Sequence, residues 1–200
     1  MPETASDLLG NASRTQRAGG AGLAVAELGV AELVGKGGFS LSSAAFGDGG
    51  ELDPSFTADE EDAVAPPLEW TAPPSGSQEL VLVVEDPDAP SEKPFCHWLV
   101  WGLAPQKGQL LEGEVPPRVG KNSFGNSEWL LPNPPTGDDP HRYVFQLFAV
   151  DLPLVLMPGA SREELVESLR GNVTAAALLT GTYAREEGGN YDWEDDGDED

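Results

Sequence analysis

Leu80-Val-Leu-Val-Val-Glu-Asp-Pro-Asp-Ala-Pro90 is the stretch that decides the fold class. Its first five residues are all apolar and three are valine. A short, continuous apolar run of this kind belongs to a strand covered on both faces rather than to a surface element. The run then meets Asp86-Pro87, where proline removes a ladder donor and biases the residue before it away from helix. Polar groups placed where a buried strand becomes a turn are well positioned to form a site.

Working outward, His97 to Leu103 and Arg142 to Val150 repeat the buried-strand pattern. Phe39-Ser-Leu-Ser-Ser43 alternates, Gly47 to Gly50 form a turn, and Pro66-Pro-Leu-Glu-Trp70 is held extended by its prolines. Gly181-Thr-Tyr183 reads as a short strand. Gly120 to Pro140 repeats Gly, Asn and Pro and reads as an elaborate loop, and loops of that length inside a compact domain are usually functional.

Helix is peripheral. Ser161-Arg-Glu-Glu164 fits a capping box, followed by Leu165, Val166 and Leu169 at helical spacing up to Gly171. Ala175 to Leu179 is expected to add a helical turn or two. Residues 1–37 form an Ala/Gly-rich, partly helical extension, either a packed helical cap or a loose arm, with one helix start at Ser6 and a second apolar helix over Ala21 to Val34. Glycines at 19, 20, 22 and 29 weaken both helices. Residues 38–187 are then a mainly β domain, and 188–200 an acidic disordered tail.

A net charge of −24 opposes binding to nucleic acid or to an anionic membrane, because either polyanion meets the same repulsive average field. Asp192 to Asp200 alone holds seven carboxylates. The single cysteine, Cys96, rules out an internal disulfide and fits a reducing, cytoplasmic setting. No apolar run approaches the roughly 20 residues of a transmembrane segment. The N-terminus shows no basic region followed by an apolar stretch, so no secretory signal is expected.

The chain has two histidines, His97 and His141, each at or near the start of an apolar strand. Period-two alternation puts His97 on the face of Leu99, His141 on the face of Tyr143, and Asp86 on the face of Val84 and Leu82. Each residue alone has a structural explanation: an Asp before Pro forms turns, and a strand-end His is often a hydrogen-bonded core residue. The functional case rests on the set.

Leu82-Val-Val-Glu-Asp-Pro-Asp-Ala-Pro90 followed by His97-Trp98 resembles the first signature of the phosphatidylethanolamine-binding proteins, the Raf-kinase-inhibitor-like family. Gly120-Lys-Asn-Ser-Phe-Gly125, Pro132-Asn-Pro-Pro-Thr-Gly137 and His141-Arg-Tyr-Val-Phe145 resemble the second. Pro66-Pro-Leu-Glu-Trp70 and Leu179-Thr-Gly-Thr-Tyr183 are similar to flanking segments of the bacterial and archaeal branch. These motifs span roughly residues 38–185 in the family's order.

The resemblance implies a central β-sandwich with a few peripheral α-helices and a small pocket at one end. That pocket takes phosphate, phospholipid head groups and other small anions. By position, Asp86, His97, His141 and Tyr143 are pocket residues, with Pro134 and Asn133 at the rim. Asp88, Pro90 and Pro132 shape the loops around it. Where the family usually carries Tyr and then Gly before those prolines, this chain has Trp129 and Leu131, which implies an altered or narrower mouth. Where the family often has Cys, Asn133 stands, so redox control of the rim is not expected.

Imidazole and tyrosine hydroxyl can donate to an anion, whereas an ionised Asp86 can only accept. Asp86 is therefore expected to orient an imidazole and raise its basicity, or to pair with an ammonium group. No cofactor and no metal are expected. The function expected is non-enzymatic binding that regulates a partner such as a kinase or protease. Two rivals remain open. One is a hydrolase or metal enzyme built on the same His/Asp set, although Ser123 lacks a nucleophile elbow and the ligands lack tight metal spacing. The other is a structural protein with a vestigial pocket.

Overall fold

The computed structural model describes residues 17–186. The helix start at Ser6 and the acidic tail 188–200 lie outside these residues. Among the described residues nine strands follow in order: β1 (Leu41–Ser42), β2 (Gly50–Glu51), β3 (Leu68–Trp70), β4 (Glu79–Asp86), β5 (Phe95–Leu103), β6 (Gly108–Leu110), β7 (Arg118–Val119), β8 (His141–Val150) and β9 (Val173–Tyr183). Among the described residues there are two α-helices, α1 (Ala24–Glu27) and α2 (Arg162–Leu169).

A six-stranded sheet runs β2-β9-β8-β4-β5-β7, and a three-stranded sheet runs β1-β3-β6. All pairings are antiparallel except β2 with β9, which leaves β4 and β8 in the middle of the larger sheet. All eight residues of β4 are buried, as its uninterrupted apolar run requires. Leu80, Leu82 and Val84 join Phe145 and Leu147 in the core facing the small sheet. Val81 and Val83 point the other way and join Phe148 and Val150 beneath α2. Each of these side chains contributes about 1.5–3 kcal/mol by leaving water. The protein is thus a mainly β sandwich with peripheral helices.

Helix α2 begins at the expected capping box: Ser161 Oγ accepts from the Glu164 amide at 3.2 Å, and Glu164 Oε2 accepts from the Ser161 amide at 2.8 Å. Leu165, Val166 and Leu169 are buried against the sheet. Gly171 adopts a φ of 75° just after the helix, a conformation that costs glycine little.

Two expectations fail here. Ala175 to Leu179 is not helical; it belongs to the eleven-residue strand β9. Helix propensity for alanine is weak against tertiary context. Ala175, Ala176 and Ala177 are buried between the layers, and the Gly35 amide reaches the Ala176 carbonyl at 2.9 Å. Nor is Ala21 to Val34 one helix. It is a single α-turn, α1, flanked by 3-10 turns at Gly20–Gly22 and Ala31–Leu33. Gly29, at a φ of 68°, lies between α1 and the second turn.

That N-terminal segment is tied to the sheet by buried polar groups. Glu85 Oε2 accepts from the Ala24 amide at 2.8 Å and from Gln146 Nε2 at 2.7 Å, while Gln146 Oε1 accepts from the Val25 amide at 2.8 Å. Arg162 Nε donates to Glu85 Oε1 at 2.5 Å, its Nη1 reaches Glu27 Oε2 at 2.8 Å, and its Nη2 reaches the Gly22 carbonyl at 3.0 Å.

Candidate functional site

The end of β4 and the starts of β5 and β8 lie side by side and deliver Asp86, His97, His141 and Tyr143 to one cavity of about 300 Å³. Pro90, Leu131, Asn133 and Pro134 complete its wall from the two loops, with Phe95 and Phe124 beside them. Asp86, Tyr143 and His141 arrive by simple strand alternation, since Tyr143 and Val84 share the inter-sheet core.

His97 arrives differently from the expectation. Leu99 lies in the core under α2, on the far face of the sheet, whereas the His97 ring packs edge-on to Tyr143 at 5.1 Å. The register explains the switch. Val84 pairs with Trp98 and Glu85 with Cys96, so His97 is the extra residue of a β-bulge. A bulge re-aims the side chains around it and is common beside functional sites. Cys96 and Leu99 therefore share one face while Trp98 takes the other, and His97 turns toward the cavity.

Asp86 is the organising acceptor. Its Oδ1 takes the amides of Asp88 at 2.7 Å and Ala89 at 3.0 Å, an Asx turn that fixes the loop. Its Oδ2 lies 2.8 Å from His141 Nδ1. With three donors satisfied, this carboxylate is committed to shaping the turn and orienting the imidazole. Asp88 does not line the cavity. It forms a two-pronged ion pair with Arg142 at 2.8 Å per contact and accepts the Arg142 amide at 2.9 Å, pinning the turn to β8.

The two imidazoles are in contrasting settings. His97 Nδ1 meets the Leu130 carbonyl at 2.6 Å, and the Leu130 amide in turn donates to the His97 carbonyl at 2.9 Å. Burial pushes the His97 pKa below its ordinary value, against the opposing pull of the Leu130 bond and the Asp86 charge. Burial acts the same way on His141, but the hydrogen bond and charge of Asp86, with the charge of Asp88, outweigh it and raise the pKa. His141 Nε2 is buried and has no hydrogen-bond partner among the described residues. The carboxylate nearest to it is Asp138, with Oδ2 at 3.7 Å. Burial and the charges of Asp86 and Asp88 raise the Tyr143 pKa, so its phenol stays protonated.

Trp129 is turned inward. Its ring stacks on Phe145 at 5.9 Å and lies 6.0 Å from His97, and its Nε1 donates to the Phe56 carbonyl at 3.2 Å. It borders a neighbouring open depression rather than the cavity itself. Pro132 is buried and its carbonyl accepts the Ala58 amide at 2.9 Å, so it too stands behind the wall. Leu131 does line the cavity, and Asn133 Oδ1 is held by Arg185 Nη1 at 2.8 Å. Ser123 is engaged elsewhere, its Oγ accepting the Cys96 amide at 2.8 Å.

The model of the family described as phosphatidylethanolamine-binding protein matches residues 42–184. The chain belongs to the phosphatidylethanolamine-binding protein family. It is 37% identical over 156 residues to a UPF0098 protein of Methanothermobacter thermautotrophicus, covering 73% of this chain and 99% of that one. A solved structure of a phosphatidylethanolamine-binding protein homologue from Chlamydia trachomatis is 34% identical, with a TM-score of 0.69 over 74% of this chain and 97% of its own. The structure of Escherichia coli YbcL, a member of the same family, is 26% identical, with a TM-score of 0.67 over 73% and 98% of the two chains.

Sequence reasoning missed Leu130, Asp138 and Arg185. None has a motif of its own: Leu130 acts through its backbone, and the other two act through contacts that only the folded loops create.

Proposed function

We propose that this phosphatidylethanolamine-binding protein is a non-enzymatic module that recognises a small anionic or phosphorylated ligand and thereby regulates a protein partner. The observation that carries this reading is His141 Nε2, a buried nitrogen with no partner among the described residues, on a side chain whose residue lines the cavity. Leaving such a group unpaired costs about 1–3 kcal/mol, which a bound oxygen would recover. Its opposite nitrogen is held by Asp86, so protonation makes Nε2 a charge-assisted donor. Tyr143 adds a protonated hydroxyl.

A cavity of about 300 Å³ suits a phosphate or a phospholipid head group rather than two acyl chains. The engagement of Ser123 with the Cys96 amide speaks against a serine nucleophile at this site. A kinase or a protease is the partner class that the family's regulatory members suggest. A cytoplasmic setting is part of the reading, supported by the free, buried Cys96.

The test is a titration of the full chain with inorganic phosphate and with phosphoethanolamine, followed through the imidazole NMR signals. Saturable shifts of both histidines are expected, and His141→Asn should remove most of the response. No response at high millimolar ligand overturns the reading.

A further inference from the structure

The cavity presents one imidazole as a donor and the other as an acceptor, and this asymmetry constrains the ligand more narrowly than anion binding does. His97 Nδ1 lies 2.6 Å from a carbonyl oxygen, which carries no proton, so Nδ1 must hold the hydrogen. A neutral ring then leaves Nε2 as a bare acceptor. The ring is packed against Phe95 at 5.7 Å and Tyr143 at 5.1 Å, surroundings that resist a second proton. His141 Nδ1 must likewise hold its hydrogen, because it faces Asp86 Oδ2 at 2.8 Å. There the carboxylate favours the imidazolium, whose Nε2–H is a donor.

The local charges are nearly balanced. Around His141 stand Asp86 and Asp88 from β4 and its turn, Asp138 from the loop before β8, and Arg17 from the N-terminal segment, which pairs with Asp138 at 3.6 Å. Around His97 the charged neighbours are Asp86 and His141. Asp88 is answered by Arg142. Protonated His141 answers Asp86, and Arg17 answers Asp138, so the site holds no surplus positive charge, and a doubly charged ligand is opposed more strongly than a singly charged one.

We propose that this pocket selects phosphate monoesters in their singly protonated form over phosphate diesters, with His141 Nε2 donating to the anionic oxygen and His97 Nε2 accepting from the P–O–H. The proposal rests on the anion-binding reading above. A diester carries the same single charge but no hydroxyl, so its oxygens would confront the His97 lone pair with acceptor against acceptor. The doubly ionised monoester has the same defect and an extra charge. A site built to pair a hydroxyl rejects the analogue that lacks it, because the buried polar group is left unmatched.

Calorimetric titration of the full chain with methyl phosphate and with dimethyl phosphate tests the idea. Near about pH 6, close to the second ionisation of a phosphate monoester, methyl phosphate should bind at least about tenfold more tightly. The ratio should fall as the pH rises to about 8 and the monoester loses its proton. In His97→Phe, which removes the acceptor at similar size, the ratio should fall toward one. On the unaltered protein, the ¹⁵N signal of His97 Nε2 should be that of an unprotonated nitrogen and move toward a hydrogen-bonded one only with methyl phosphate. Equal affinities for the two probes overturn the monoester selection while leaving anion binding intact. Binding of neither overturns both. An unmoved His97 signal beside a shifting His141 also overturns the selection.

Discussion

Replacing Arg162 by methionine tests the polar anchor beneath α2. Glu85 is fully buried, and its carboxylate accepts from the Ala24 amide, the Gln146 amide and Arg162 Nε. Among the described residues, the guanidinium is the only full positive charge bonded to it. Methionine keeps much of the buried length of the side chain but leaves Glu85 with two neutral donors. Removing one partner of a buried pair costs about 3–5 kcal/mol, because the remaining charge is uncompensated. That is a large share of the roughly 5–15 kcal/mol by which a domain is stable. With a urea slope of about 2 kcal/mol per molar, the midpoint should fall by about 2 M, read from tryptophan fluorescence. The double variant Glu85→Gln/Arg162→Met removes the charge together with its partner and should recover most of the loss. A cost below about 1 kcal/mol for the single variant would refute the assignment of Arg162 as the counter-charge. A double variant no better than the single one would refute it too.

Two further outcomes concern the cavity. Asp86→Asn keeps an oxygen for the amides of Asp88 and Ala89 but turns an amide donor toward His141 Nδ1, so the histidine should titrate lower than in the unaltered protein and phosphate affinity should fall about tenfold. An unchanged His141 titration in NMR would sink that account. The two histidines should also make opposite contributions to stability against pH. His141, with its pKa raised, is fully stabilising below the ordinary value of 6.5 and loses that contribution as pH rises through its folded value. His97, with its pKa lowered, costs stability as pH falls below 6.5, where the unfolded chain binds more protons. Urea midpoints from about pH 5.5 to about pH 8.5 should therefore show the difference between the unaltered protein and His141→Asn shrinking toward alkaline pH; a flat or growing difference contradicts the sign.

Much of the sandwich could be read from the chain because its central strands have only one physical explanation. An apolar run such as Leu80 to Val84 must be covered on both faces, and Asp86 at its end must then sit at a strand-to-turn junction. Period-two counting puts His97 on the face of Leu99 because it assumes an unbroken ladder, and nothing local to Phe95–Trp98 announces the bulge that re-aims it. Ala175 to Ala177 misled for the opposite reason: alanine suits a helix locally, but here its small side chain lets two layers close on one strand. Glu85 and Gln146 did leave a trace, as polar residues interrupting strands that are otherwise apolar, a pattern that demands buried partners.

Those partners join the two faces of the sheet. Glu85 and Asp86 are consecutive, so strand alternation sends one toward α2 and the other toward the cavity. The family match begins at residue 42, yet residues before it touch both sides of this pair. Ala24 bonds Glu85, the Gly19 amide donates to the Pro87 carbonyl at 3.1 Å within the Asp86 turn, and Arg17 pairs with the Asp138 that faces His141. The N-terminal segment is thus part of the framework that holds Asp86 and, through it, His141. A carboxylate whose turn is fixed from three directions has little freedom to follow a ligand, so the geometry of the donor imidazole is set before anything binds. Under the proposed anion-binding reading, such preorganisation keeps the entropic cost of recognition low and makes small differences in ligand protonation count.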